Sequence, residues 1–236
     1  VCAERDKLRA AVVELAQERG EWRVHRDSAP GAGRARRITP FTPVVFAGPA
    51  ANHRWISAAA AIVNAAEPGL AHEPKPPGAV NCGTLANCAG GRTPWGTYLT
   101  SEENFDGFFR LSDSNAAPVV AAQQDSAWMW DAGRFGYPLF SRVSGAPAAP
   151  RQFDVANNPH GPSLYGWVVE IDPYDPTWAP RKRTSLGRKK GECATTAIAR
   201  DGRVAVYMGD DQIDHFVFKF VTEGRFDPAA RLANRD

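Results

Sequence analysis

The chain lacks any apolar run near the ~20 residues that a membrane-spanning helix needs, so no helical span is expected. It also lacks a surplus of one charge sign. The formal net charge is +2 over 236 residues, too little to imply a nucleic-acid partner. The densest basic stretch, Arg181-Lys182-Arg183 with Arg188-Lys189-Lys190, has no interleaved aromatics of the kind that stack on single strands. It reads as a solvated face. Cysteine is scarce: Cys2, Cys82, Cys88 and Cys193 contain no CxxC pair, which argues against a zinc ribbon or a thioredoxin-type motif. Whether Cys82 and Cys88 pair in an oxidising compartment stays open at this level. The five histidines, His25, His53, His72, His160 and His215, show neither HxH nor HExxH spacing, so zinc hydrolases of those types are not supported. There is no GxSxG elbow, no Walker loop and no GxGxxG. No repeat of fixed period is visible. The first residues, Val1-Cys2-Ala3, are neither an initiator methionine nor a signal peptide, and both ends read as cuts through a longer chain.

What is present is punctuation and short β-rich runs. The chain has 21 glycines and 19 prolines, with 43% hydrophobic and 23% charged residues, ordinary for a globular protein. Trp167, Val169 and Ile171 alternate with Val168, Glu170 and Asp172, a period of two with one drier face. Residues 194–200 and 203–209 flank Asp201-Gly202, which predicts a hairpin through a type I′ turn. Phe216, Phe218 and Phe220 then share one face of a third run, completing a three-stranded meander. At the N-terminus Leu8, Ala11, Val12 and Leu15 fit a helical stripe, yet residues 11–15 and 21–24 about a Glu18-Arg-Gly20 turn fit a hairpin. The all-β context favours the hairpin. The proline-rich tract 68–78 and the tract 144–150 read as long connections.

The segment from Gly83 to Phe109 carries the chemistry. With Thr93-Pro-Trp-Gly96 as a turn, residues 85–90 and 97–103 form a hairpin that sets Cys88 opposite Thr100 to Glu102. Gly90-Gly91 permits close approach of backbone or ligand. Transition metals accept thiolate, whereas calcium wants several oxygens. A site with both donor types suits a mixed-metal cluster, while a buried thiol beside a solvated Glu102-Glu103 strand end is the plainer alternative. Asp210-Asp211 closes the run 203–209. Adjacent carboxylates repel, so they either invite a cation or mark an exposed turn. Glu192, beside Cys193, carries no signal of its own.

These blocks together resemble the PhoX-type alkaline phosphatases, a secreted bacterial family. The likeness rests on Gly83-Thr-Leu-Ala-Asn-Cys-Ala-Gly-Gly91, Thr93-Pro-Trp-Gly-Thr97, Ser101-Glu-Glu-Asn104, Tyr165-Gly-Trp-Val-Val-Glu-Ile-Asp-Pro173, Leu186-Gly-Arg188 and Tyr207-Met-Gly-Asp-Asp211, in that order. The resemblance implies an all-β fold, a β-propeller with long irregular loops. Residues 1–236 would be one partial domain, an incomplete ring truncated at both ends. It implies iron and calcium, with Cys88 as the thiolate on iron. Glu103 and, beside it, Glu102 would supply carboxylates, as would Glu192, Asp210 and Asp211. The implied reaction is hydrolysis of small phosphate monoesters by a metal-held oxygen nucleophile, in a periplasmic or secreted protein. Ser101, Gly191 and Cys193 depart from the family pattern, where cysteine, histidine and glycine are usual. A non-catalytic propeller binding module and a calcium-dependent lactonase or phosphotriesterase are the alternatives.

Overall fold

The structure is a computed structural model that describes residues 10–25, 33–66, 76–109 and 153–235. The tract 144–150, most of 68–78, Cys2 and Leu8 lie outside the described residues. The chain begins with strands β1 (Ala10–Val12), β2 (Leu15–Glu18), β3 (Glu21–Val24), β4 (Arg36–Ile38) and β5 (Pro43–Ala47). Helix α1 (Arg54–Ala66) then precedes β6 (Val80–Asn81), β7 (Asn87–Arg92) and β8 (Tyr98–Glu102). Further on come β9 (Val168–Ile171), β10 (Arg181–Arg183), β11 (Thr195–Ile198), β12 (Arg203–Gly209), β13 (Val217–Arg225) and helix α2 (Arg231–Arg235). Six strands form one sheet in the order β6-β5-β10-β9-β8-β7, and β11-β12-β13 form a second. β1 pairs with β4, and β2 with β3. The protein is mostly β, as expected, but these sheets are not closed into a ring. No described helix is long and apolar enough to cross a membrane.

An N-terminal hairpin forms about the expected turn, but its first strand is 15–18 and not 11–15, because residues 10–12 pair with β4 instead. Glu18 faces Glu21 across Arg19-Gly20, whose φ values of 53° and 85° are both left-handed, as a type I′ turn requires. The meander also forms, but its Asp201-Gly202 turn is not type I′. Gly202 N–H donates to Ala199 O, Ala199 N–H donates to Arg203 O, and only Gly202 has a positive φ (85°). This is a three-residue loop closed by one left-handed glycine. The 93–97 turn uses the same device, with Gly96 at φ 92°.

Two elements differ from the sequence reading. Helix α1 escaped it, although Ile56, Ala59 and Val63 repeat at helical spacing and bury at 0–4% exposure. And β5 runs parallel to β10, which adds a crossover to an otherwise antiparallel pattern. The expected drier face of residues 167–172 is also corrected. Strand β9 lies between β8 and β10 and is buried on both faces. Trp167, Phe46, Tyr165 and the α1 side chains share one core, Val168 joins Leu99 and Met208 in another, and Val169 and Ile171 join Ile38 in a third. Of the three phenylalanines, only Phe220 packs against a core, while Phe216 and Phe218 remain exposed.

The basic stretch is not a solvated face. Lys182, Lys189 and Lys190 are buried. Lys182 Nζ lies 2.8 Å from Glu102 Oε1, donates to Leu164 O at 2.6 Å, and stands 4.3 Å from the centroid of the Tyr165 ring. Arg183 pairs with Glu170 at 2.6 Å and Lys190 with Asp106 at 2.7 Å. Arg188 donates to the carbonyls of Tyr165 and Pro162. Buried charges persist when they are paired or well hydrogen-bonded. Lys182, Arg183 and Lys190 meet carboxylates, whereas Arg188 and Lys189 are met by backbone carbonyls.

Glu102 is the most heavily bonded of these groups. Its Oε1 also accepts from Thr84 Oγ1 and Leu85 N–H, and its Oε2 from the Gly166 and Trp167 N–H groups. Glu102→Ala therefore strands an ammonium and three backbone donors. A loss of about 3–5 kcal/mol is expected, read from the urea midpoint. The apolar pair Glu102→Leu with Lys182→Met is expected not to restore it, because the backbone donors stay orphaned. A double variant as stable as the parent would overturn this account.

Candidate metal centre

Three stretches of chain meet where β8 ends, before β11 begins and where β12 ends. Backbone bonds lace them together. Gly191 N–H donates to Glu102 O at 3.1 Å, Glu192 N–H to Gly209 O at 3.3 Å, and Asp211 N–H to Lys190 O at 2.9 Å. Gly191 and Asp210 form an isolated antiparallel bridge. Glycine at 191 suits this approach, since a Cβ there would sit 3.0 Å from Ser101 Cβ. Each lacing residue, Glu102, Gly191 and Asp210, is followed by a carboxylate. Those three, Glu103, Glu192 and Asp211, offer oxygens that all lie within 4.8 Å of one another. Glu103 is half-buried, and the other two are exposed.

Close packing of like charge is visible in Glu103. Burial and the nearby Asp211 and Glu192 carboxylates raise its pKa above the ordinary glutamate value, while the Cys88 hydrogen bond works against that rise. Cys88 is exposed and hydrogen-bonds Glu103. Desolvation, that hydrogen bond and the surrounding acids raise its thiol pKa. The thiol thus adjoins the carboxylate triad without belonging to its tight 4.8 Å group. A bulge between Asn87 and Gly90 sets Cys88 off the regular register.

The other expected ligands are held elsewhere. Glu102 points from β8 toward Lys182 and is fully buried, with both oxygens engaged. Successive strand residues face opposite ways, so Glu102 and Glu103 serve opposite sides. Asp210 is buried at its side chain, where Oδ2 meets His215 Nδ1 at 2.8 Å and Oδ1 accepts from Gln212 N–H. His215 was not singled out by any sequence motif. Its partner lies five residues away across the β12–β13 loop, a spacing without a pattern of its own. Cys82 is buried and Cys193 partly buried, and neither they nor Cys88 are in a disulfide, so the Cys82–Cys88 pairing does not form. The Gly90-Gly91 pair serves backbone approach: a Cβ at Gly91 would lie 2.2 Å from Ala194 O.

A family model described as alkaline phosphatase PhoX matches residues 4–236. The chain belongs to the PhoX alkaline phosphatase family. A solved relative, "Pseudomonas fluorescens PhoX in complex with vanadate, a transition state analogue", is 38% identical with a TM-score of 0.70. The match covers 95% of this chain and 34% of that one, so the chain spans about a third of the relative's length. No curated protein matches the chain.

For a PhoX family member the donor set is coherent. Three carboxylates forced together, one with its proton held more tightly than usual, carry an excess of negative charge that a cation relieves. Oxygen donors in that number suit a hard cation such as calcium, and an adjoining thiol suits a transition metal.

The raised Glu103 value has a sign that can be checked. Stability from its protonated form is complete below the ordinary glutamate pKa and is lost as pH rises through the raised one. In metal-free protein, Glu103→Gln is therefore expected to raise the melting temperature near pH 7. The gain should vanish near pH 4, where the glutamate is itself protonated. A lower melting temperature for the variant near pH 7 would contradict the crowding of these acids.

Proposed function

We propose that this chain forms part of a metal-dependent phosphatase that hydrolyses phosphate monoesters. The observation that carries the reading is the convergence of Glu103, Glu192 and Asp211, with Cys88 bonded to Glu103, in a chain of the PhoX family. The vanadate bound by the Pseudomonas fluorescens relative supports phosphoryl chemistry, because vanadate resembles phosphate and is described there as a transition state analogue. The propeller architecture, the identity of the metals as iron and calcium, and a periplasmic or secreted location belong to the same proposal.

Glu103, Glu192 and Asp211 would hold the harder cations, and Cys88 would offer sulfur to iron. Bound cations supply positive charge to phosphoryl oxygens and acidify water. The chain's own residues fix where that happens. Glu103 is pinned through its N–H to Ala86 O, and Asp211 through its N–H to Lys190 O. Their carboxylates are thus presented from backbone already bonded elsewhere, and little reorganisation is needed when charge develops. The Cys88 thiol keeps its proton in the metal-free protein and would release it on coordination.

The test is elemental analysis of the intact protein together with release of phosphate from a chromogenic monoester. Iron and calcium should both be found, and a strong chelator should abolish turnover. Glu192→Gln and Asp211→Asn should each lower kcat/KM by about 100-fold or more, and Cys88→Ser should lose iron. Full activity in metal-free protein, or turnover confined to triesters or lactones, would defeat the proposal.

A further inference from the structure

We propose that His215 is a positioning residue of the cation site, acting through Asp210 to present Asp211. The inference rests on the cation-binding reading of Glu103, Glu192 and Asp211.

Asp211 belongs to the loop that joins β12 to β13, and that loop is closed from within. Asp210 N–H donates to Phe216 O at 3.3 Å, and His215 N–H donates to Gln212 O at 3.0 Å. Between these, the Asp210 carboxylate spans the loop. One oxygen takes Gln212 N–H at 3.3 Å and the other takes the His215 ring at 2.8 Å. The proton of that ring contact must sit on His215 Nδ1, because an ionised carboxylate only accepts. Lys189 also faces Asp210 electrostatically, but its Nζ donates to Leu186 O and Gly187 O. Among the described residues, the direct side-chain hydrogen bond to Asp210 is the one from His215.

This arrangement gives the two adjacent aspartates different tasks. Asp210 has both oxygens engaged and lies buried, with its side chain 6% exposed. Asp211, whose N–H is tied to Lys190 O, turns its carboxylate to Glu103 and Glu192. The loop also contains Asp214 at φ 64°, a left-handed value that a non-glycine residue holds only when its surroundings impose it. Without the His215 contact, the Asp210 carboxylate keeps only its bond from Gln212 N–H, and Asp211 gains freedom. Outer partners of ligating carboxylates typically matter by about 10–100-fold in cation affinity.

The experiment is calcium titration calorimetry on the intact, metal-stripped protein, paired with its thermal unfolding. His215→Ala should weaken calcium binding about tenfold while the metal-free melting temperature stays close to the parent's. His215→Asn should recover most of the affinity, because its amide nitrogen can occupy the Nδ1 position. His215→Gln, whose amide reaches further out, should not. Unchanged affinity in His215→Ala, or equal loss in the Ala and Asn variants, overturns the proposal. Glu192→Gln serves as the separate check on the site itself. If it leaves calcium binding intact, the cation-site reading fails, and the role of His215 falls with it.

Discussion

The structure depends on a buried ion pair. Glu102 and Lys182 come from β8 and β10, strands on either side of β9, and meet with no solvent exposure at either side chain. Neither charge could remain there alone, since desolvating one without the other costs several kcal/mol. The pair is completed by backbone. Glu102 takes the N–H groups of Leu85, Gly166 and Trp167, and Lys182 gives a proton to Leu164 O. One carboxylate thereby fixes the loop before β7, the entry to β9 and the end of β8.

That constraint sets up the candidate centre on the other side of the same strand end. With Glu102 drawn inward, Glu103 must face outward, and Gly191 docks its N–H on the Glu102 carbonyl. The 190–192 segment then lies against both Glu102 and Gly209, so that Glu192 and Asp211 arrive beside Glu103. Burial first, and then the neighbouring Asp211 and Glu192 carboxylates, push the Glu103 pKa up. The fold thus holds, next to the buried pair, a cluster of acids whose mutual repulsion a cation would relieve. Such local strain beside a robust anchor is a common arrangement at functional sites.

Much of the local structure was legible in the residues. Arg19-Gly20, Gly96 and Gly202 supply the left-handed conformations that tight hairpins need, and the runs beside them pair as expected. The turn at Asp201-Gly202 differs in type from the expected one because the hydrogen bond from Ala199 N–H to Arg203 O adds one residue to the loop, which no local propensity reveals. The α1 stripe of Ile56, Ala59 and Val63 was present but diluted by alanines, which bury in a helix without announcing a face. The basic stretch departs from expectation for a different reason. Arg181 to Lys190 looks solvated in isolation, and only partners about 13 to 84 residues away, Glu170, Glu102 and Asp106, neutralise it.

The sequence by itself determined the β class, the hairpins and the presence of a thiol and paired acids in blocks characteristic of one family. Those features follow from φ preferences and period-two patterning, which act over a few residues. Tertiary structure alone decided which member of each acidic pair faces the cluster. Glu102 and Asp210 turn to Lys182 and His215, and Glu103 and Asp211 turn to each other. Both members of a pair are chemically alike, so the choice rests on strand direction and on which distant cation or ring stands within hydrogen-bond reach. That information exists only once the chain is folded.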